Sequence, residues 1–219
     1  GGDVSLNAAG DITVSEISTT GDVTFNSSAG SILDAGTLGN PDVQADVLQV
    51  VAAGSLGTAS DGLETSVGQL IASSGSTVTL NNDAGLILGA VSTQGDAAIS
   101  APSMSTTGAL TTSGGSIDLN VDGDLTISSP LSTAGGDFTA TATNNVIFAA
   151  TGSVATAGGN ALVKADADED HNGSGGAMTM TDGSSVASGV GTITLTADGN
   201  ILLSPLVTTN NTAEAISIL

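Results

Sequence analysis

The residues of this chain best suited to chemistry are oxygen-bearing side chains that alternate in one acidic stretch. Asp168, Asp170 and Asn172 are followed by Gly173, which matches the first half of the calcium-loop pattern D-x-[DN]-x-[DN]-G. Hard oxygen ligands at alternate positions, with a glycine that permits a sharp turn, suit a Ca²⁺ ion. This stretch is therefore a candidate for a structural metal site.

The second half of the calcium-loop pattern is not matched. Thr179 stands at the twelfth position, where a bidentate glutamate belongs. A complete site would have to recruit further carboxylates or backbone oxygens, and a solvated acidic loop without a metal is the alternative interpretation. The candidate ligands are Asp166, Asp168, Asp170, Asn172 and Asp182.

A second group of carboxylates raises the question of glycoside hydrolysis. An inverting hydrolase needs two carboxylates about 6.5–9.5 Å apart, and Asp118, Asp122, Asp124 and Asp137 are the candidates. No aromatic residue is expected to be available there to stack against a sugar, and aspartates in turns are ordinarily turn formers. A lyase would need a basic residue, and Lys164 is the only Lys or Arg of the chain. We therefore expect no catalytic residues and no enzyme activity.

The composition describes an acidic, aliphatic chain. Its 22 acidic residues face a single Lys or Arg, which gives a net charge of −21, although only 11% of the residues are charged. An acidic surface repels phosphate groups, so we expect no nucleic-acid partner. No apolar run approaches the ~18 residues that a membrane helix needs, so we expect no membrane insertion. With 3 phenylalanines as the only aromatic residues, the core must be thin and filled by Val, Ile, Leu and Ala.

The elements that must position these side chains emerge when the chain is laid out with a period of about 20 residues. Each unit begins with an apolar-x-apolar triplet whose central residue is usually Ser or Thr. Examples are Val4-Ser5-Leu6, Val23-Thr24-Phe25, Val78-Thr79-Leu80, Ile117-Asp118-Leu119 and Ile193-Thr194-Leu195. A second triplet follows after a short turn, as in Leu125-Thr126-Ile127, and a third element such as Leu131-Ser132-Thr133 closes the unit.

This repeat predicts an all-β fold, a right-handed parallel β-helix (β-solenoid) with three short strands per coil. Alternate side chains point inward, and stacking of successive coils supplies the backbone partners that such short strands lack. The right hand follows from the general rule for parallel crossovers. We expect a single solenoid over residues 1–219, with an acidic loop insertion at 165–176. Irregular or enlarged coils are expected at 36–74, where the valine content disfavours a short helix over 42–51.

The segment Gly-Thr-Ile-Thr-Leu-Thr-Ala-Asp-Gly-Asn-Ile-Leu-Leu at 191–203, with weaker copies at 2–14 and 115–127, resembles the repeats of the filamentous-haemagglutinin type. Such repeats build the passengers of large bacterial surface proteins, and the likeness extends over nearly the whole chain. The resemblance implies a parallel β-helix, secretion across a Gram-negative outer membrane, and adhesion or matrix formation by an elongated stalk. It is a likeness of repeat pattern, which indicates a fold more specifically than an activity.

These observations predict a structural or adhesive protein that is extracellular, at the bacterial cell surface. The chain opens inside a repeat at Gly1 and stops inside a strand at Leu219, so we expect a fragment of a longer protein or a stacking unit of a filament, because uncapped parallel strands associate. The expected partners are other copies of the chain, bound head-to-tail or laterally, a host or matrix surface, or carbohydrate. The alternative function is a carbohydrate-binding or polysaccharide-degrading parallel β-helix.

Overall fold

A computed structural model describes residues 1–36, 40–168 and 176–219, and within these ranges every regular element is a β-strand. The N-terminal part contains β1 (Val4–Ala8), β2 (Ile12–Val14), β3 (Ile17–Ser18), β4 (Val23–Ser27), β5 (Ile32–Asp34), β6 (Val43–Ala52), β7 (Leu63–Ser74), β8 (Val78–Asn82) and β9 (Leu86–Thr93). The central part contains β10 (Ala97–Ala101), β11 (Met104–Thr106), β12 (Leu110–Thr112), β13 (Ile117–Val121), β14 (Leu125–Ile127), β15 (Pro130–Ser132), β16 (Phe138–Ala142), β17 (Val146–Phe148) and β18 (Ser153–Ala155). The C-terminal part contains β19 (Ala161–Ala165), β20 (Met178–Met180), β21 (Ser185–Gly189), β22 (Ile193–Thr196), β23 (Ile201–Leu202), β24 (Leu206–Thr208) and β25 (Ile216–Ile218).

The strands form parallel ladders in which each strand pairs with the equivalent strand of the next coil. From β10 onward the three ladders are β10–β13–β16–β19–β22–β25, β11–β14–β17–β20–β23 and β12–β15–β18–β21–β24. The chain completes about 10 turns, roughly 21 residues apart. The predicted parallel β-solenoid is confirmed.

The interior of the solenoid is a narrow core of stacked side chains. Along β16 the sequence Phe-Thr-Ala-Thr-Ala alternates between buried apolar residues and partly exposed threonines. Phe138 stacks between Ile117 of the preceding coil and Ala161 of the following coil. The small side chain of Ala161 leaves room for the large phenyl ring. Phe25 and Phe148 are buried in the same interior. Aliphatic columns therefore hold the coils together, as the composition predicts.

A column of buried hydroxyl groups satisfies the backbone at one corner of the solenoid. Each hydroxyl donates a hydrogen bond to the carbonyl oxygen three residues further along the chain, where the backbone turns into the next coil. The donors are Thr112, Thr133, Thr156 and Ser188. Because a buried carbonyl without a partner is destabilising, these hydroxyls explain why the third element of each unit ends in Thr or Ser.

The coils between residues 40 and 74 are built from unusually long strands. β6 has 10 residues and β7 has 12, and β6 alone spans both β3 and β4 of the preceding coil. The residues considered for a short helix, 42–51, are almost entirely within β6, because a valine-rich sequence favours the extended conformation. Leu56 forms isolated bridges to Ile32 and Val78 and continues a core column between coils.

The coil that carries the acidic stretch is longer than its neighbours. Asn160 accepts a hydrogen bond from Thr192, 32 residues later, whereas the equivalent contact from Ser116 to Asp96 spans 20. The additional residues lie between the end of β19 at Ala165 and the start of β20 at Met178. β19 and β20, on either side of this longer segment, keep their places in the parallel ladders.

Candidate functional site

Three acidic side chains meet where β5 ends and where β6 and β7 begin. Asp34 is the last residue of β5, Asp42 immediately precedes β6, and Glu64 is the second residue of β7. β6 and β7 are paired with Val43 opposite Thr65. This register places Asp42 beside Glu64 on adjacent coils, because neighbouring strands lie only ~4.8 Å apart.

Backbone hydrogen bonds fix the three acidic residues in place. The Asp42 amide donates to the Glu64 carbonyl oxygen (2.8 Å), and the Glu64 amide donates to Asp42 Oδ2 (3.2 Å). The Gly36 amide donates to Asp34 Oδ1 (2.8 Å). One carboxylate oxygen from each acidic residue lies within 4.8 Å of the other two, so we call Asp34, Asp42 and Glu64 the carboxylate triad.

Each member of the triad also has one buried oxygen atom that makes no hydrogen bond. These atoms are Asp34 Oδ2, Asp42 Oδ1 and Glu64 Oε2. The Asp42 residue as a whole is 0% exposed, whereas Asp34 and Glu64 are partly exposed. A buried carboxylate oxygen without a partner is costly, so the triad is a place where an additional positive group would stabilise the protein.

The proton affinity of the triad reflects burial and mutual repulsion. Burial, followed by the neighbouring Asp34 carboxylate, raises the pKa of Asp42 to about 7. Burial raises the pKa of Glu64 above its usual range too, with further contributions from Asp34 and Asp61. Among the described residues the only basic side chain is Lys164, on β19, a strand that pairs with β16 and β22. No described side chain on β5, β6 or β7 is therefore basic, so none of them neutralises the charge of the triad.

The triad is not among the sites predicted from the sequence, although the sequence contains one signal for it. Asp42 and Glu64 are 22 residues apart, which is close to the repeat length and therefore predicts neighbouring positions on successive coils. The spacing of Asp34 from Asp42 and Glu64 does not match the repeat length. Its position beside Asp42 could not be predicted from the repeat, because it depends on the path of the chain between β5 and β6.

The predicted ligands of the acidic stretch are only partly within the described residues. Asp166 follows β19 in the left-handed region, with φ of 59°, and its backbone amide donates to the Asn144 carbonyl oxygen (3.2 Å). Asp168 is exposed. Asp170 and Asn172 lie outside the described residues, so the predicted Ca²⁺ site at this loop stays a prediction.

The structure places Asp182 at a different corner from Asp166. Asp182 is exposed in the turn between β20 and β21, and shortly after it the Ser185 amide donates to the Gly152 carbonyl oxygen of the preceding coil (3.3 Å). Asp166 instead lies at the corner between β19 and β20, where Asp198 of the next coil is its neighbour across Gly176. Asp198 is not among the ligands predicted from the sequence.

The four aspartates considered for hydrolysis lie on the outer surface of the solenoid. Asp118 is on the outer face of β13, and desolvation raises its pKa. Asp124 Oδ1 accepts hydrogen bonds from the Asn145 backbone amide (3.1 Å) and side-chain amide (3.0 Å). Asp122 Oδ1 accepts one from the Thr143 hydroxyl (3.4 Å). Asp122 and Asp124 thus contact the next coil through their carboxylates.

Asp137 belongs to a ladder of corner side chains that connects successive coils. In each step a side-chain oxygen accepts a hydrogen bond from the backbone amide at the same corner of the next coil. The steps are Ser116 amide to Asp96 Oδ1 (2.8 Å), Asp137 amide to Ser116 Oγ (3.2 Å), Asn160 amide to Asp137 Oδ1 (2.7 Å) and Thr192 amide to Asn160 Oδ1 (3.0 Å). This arrangement explains the preference for Asp, Ser and Asn just before the first strand of a coil.

Removal of one corner acceptor is expected to cost a moderate amount of stability. The Asp137→Ala variant leaves the Asn160 amide without its acceptor, so the free energy of unfolding should fall by about 1 kcal/mol. Asp182→Ala removes the same charge from an exposed turn and should change it by less than about 0.5 kcal/mol. Urea unfolding followed by circular dichroism compares the two variants, and equal losses would show that the ladder contributes nothing specific.

Comparison with known proteins identifies no relative: no family model, no curated protein and no solved structure matches this chain. The likeness to filamentous-haemagglutinin repeats therefore rests on the repeat pattern of the sequence, and what the structure establishes is a parallel β-solenoid of about 10 turns. In the described part of the chain, no helix has the length and apolar character required to cross a bilayer.

Proposed function

We propose that this chain is a structural rod of an extracellular bacterial surface protein, where it serves as a stalk, a fibre or an adhesin passenger. The main support for this proposal is that the parallel ladders are continuous. From β10 to β25, each strand pairs with the equivalent strand of the next coil, and every complete coil has the same arrangement of strands. Because each coil contacts only its neighbours, such a solenoid can be lengthened without redesign of its core. As a stalk or fibre, such a rod would hold a binding surface away from the cell, and as an adhesin passenger it would display that surface.

The two end coils offer surfaces for elongation. Ile216 and Ile218 continue the columns of Ile193 and Leu195, yet they are 40% and 45% exposed, whereas both column neighbours are fully buried. At the opposite end Leu6 is 38% exposed although its column neighbour Phe25 is buried. A second copy stacked on either end would cover these side chains and pair the strand edges.

Head-to-tail contact predicts that isolated rods associate through their ends. Wild-type protein should form end-joined rods as its concentration rises, and the double variant Ile216→Asp, Ile218→Asp should remain as single rods because a charge cannot be buried against an apolar column. The matched control, Thr139→Asp with Thr194→Asp, adds two charges to the partly exposed outer face and should associate like wild type. Sedimentation and negative-stain electron microscopy measure the association, and single wild-type rods at every concentration would contradict it.

Cell-surface display is tested separately from association. Immunogold electron microscopy of intact producing cells should place the label on the outer surface or on fibres that extend from it. Label that appears only after the cells are opened would contradict an extracellular role, whether or not the purified rods associate.

Carbohydrate binding is the second candidate function. A shallow groove crosses the outer faces of β8, β10 and β13, and the polar side chains of its lining include Asn81, Ser100, Asp118 and Asn120. Amide, hydroxyl and carboxylate groups of this kind hydrogen-bond sugar hydroxyls. Binding of the purified chain to an array of bacterial and host glycans would favour this function over a purely structural one.

A further inference from the structure

The carboxylate triad concentrates negative charge in a place where the described residues of β5, β6 and β7 supply no basic side chain. Asp42 is fully buried, and the unpartnered Asp42 Oδ1 adds to the unpartnered oxygens of Asp34 and Glu64. Lys164, the only basic side chain of the described residues, is on β19. A proton shared between two of the carboxylates, or a bound cation, would relieve this repulsion.

The geometry favours a metal cation over a shared proton as the group that satisfies all three residues. A proton joins only two oxygen atoms, whereas the triad presents one oxygen from each of three residues within 4.8 Å of one another. Two ligands on opposite sides of Ca²⁺, at ~2.4 Å each, are separated by about this distance. One ion can therefore contact all three oxygens after at most small adjustments of the side chains, with the strands left in place.

We propose that Asp34, Asp42 and Glu64 bind a Ca²⁺ ion that links two adjacent coils of the solenoid. Asp34 and Asp42 come from one coil and Glu64 from the next, so the ion joins coils that are otherwise held by backbone pairing and core contacts. Ca²⁺ suits the site better than Mg²⁺, because Ca²⁺ accepts irregular sets of six to eight oxygen ligands, whereas Mg²⁺ demands a near-ideal octahedron.

The test uses the whole chain, freed of metal with a chelator and titrated with CaCl₂ at pH 8 by isothermal titration calorimetry. Asp42→Asn should weaken Ca²⁺ binding at the triad at least ten-fold, because it removes a charge while keeping the size of the side chain. The control variant Asp168→Asn, Asp170→Asn removes two charges from the acidic stretch and should retain the triad site. CaCl₂ should raise the melting temperature of wild type and of the control variant more than it raises that of Asp42→Asn, and MgCl₂ should have a smaller effect.

Several outcomes would overturn the proposal. Wild-type protein that shows neither heat of binding nor a shift in melting temperature with millimolar CaCl₂ would do so, as would an Asp42→Asn variant that binds as tightly as wild type. Loss of all binding in the Asp168→Asn, Asp170→Asn variant would assign the ion to the acidic stretch instead. Should Asp42→Asn fail to fold, Glu64→Gln removes a charge from the partly exposed member of the triad and is expected to give the same loss of affinity.

Discussion

The Phe148→Ala variant is expected to lose about 3–5 kcal/mol of the free energy of unfolding. Phe148 is 0% exposed and stacks between Ile127 and Met180 of the neighbouring coils. Truncation leaves a cavity inside a narrow tube whose backbone ladders on both sides prevent collapse around it. Chemical unfolding followed by far-ultraviolet circular dichroism measures the loss, because the chain has no Trp or Tyr to report by fluorescence.

The adjacent residue provides a matched control for this prediction. Ile147 lies on the same strand but on the outer face, where it is 37% exposed. Ile147→Ala removes apolar atoms from β17 too, yet it should cost at most about 1 kcal/mol, because much of the side chain already contacts solvent. Similar losses for the two variants would contradict the inward and outward alternation on which the whole fold depends.

The second large effect concerns pH in the absence of divalent metal. The pKa of Asp42 is raised from its ordinary value of 3.8 to about 7 in the folded protein, so between these values the folded state holds a proton that the unfolded state has lost. The stabilisation from this proton is complete below pH 4 and disappears as the pH rises through 7. The contribution of Asp42 should therefore decrease by up to ~1.4 kcal/mol per pH unit across this window.

Asp42→Asn isolates that contribution from those of the other carboxylates. Asparagine cannot ionise, and its amide group can donate to Asp34 or Glu64 while its oxygen still accepts from the Glu64 backbone amide. In chelator, the variant should be more stable than wild type at pH 8 and lose this advantage by pH 5. Thermal unfolding of both proteins from pH 4 to 8 gives the comparison. Parallel stability curves would show that Asp42 titrates normally and that the triad is not strained.

Ca²⁺ should reverse this ranking at pH 8. Wild-type protein gains the binding energy of the ion, because a ligand that binds only the folded state stabilises it, whereas the Asp42→Asn variant has lost a ligand. The same substitution is thus expected to stabilise the protein in chelator and to destabilise it relative to wild type in calcium. A simple packing defect would lower stability under both conditions.

Much of the fold was predictable from the sequence because a solenoid is built from local, repeated rules. The triplet Ile117-Asp118-Leu119 predicts two inward residues and one outward residue, and β13 shows this pattern. Thr133, at the end of a third element, predicts a polar position at a corner, where its hydroxyl donates to a backbone carbonyl. Each of these features depends on residues within one coil and on the coil directly above or below it.

The same logic fails where coils differ in length. The irregular stretch at 36–74 interrupts the period, so the sequence did not indicate that β6 alone spans two strands of the preceding coil. In the acidic stretch, Asp166 and Asp182 were both named as candidate ligands, and the structure places them at different corners, before and after β20. Proximity in sequence is a poor guide to proximity in space once a corner intervenes.

The sequence by itself determined the strands, their inward faces, the thin aliphatic core and the acidic surface, because these follow from residue types and a short period. Only the tertiary structure decided which carboxylates meet. Asp34, Asp42 and Glu64 come from two coils and three strands, and their contact depends on the register of β6 against β7 and on the path of the chain after β5. Repeat patterns specify which residues point the same way, whereas coil length and register determine which of them touch.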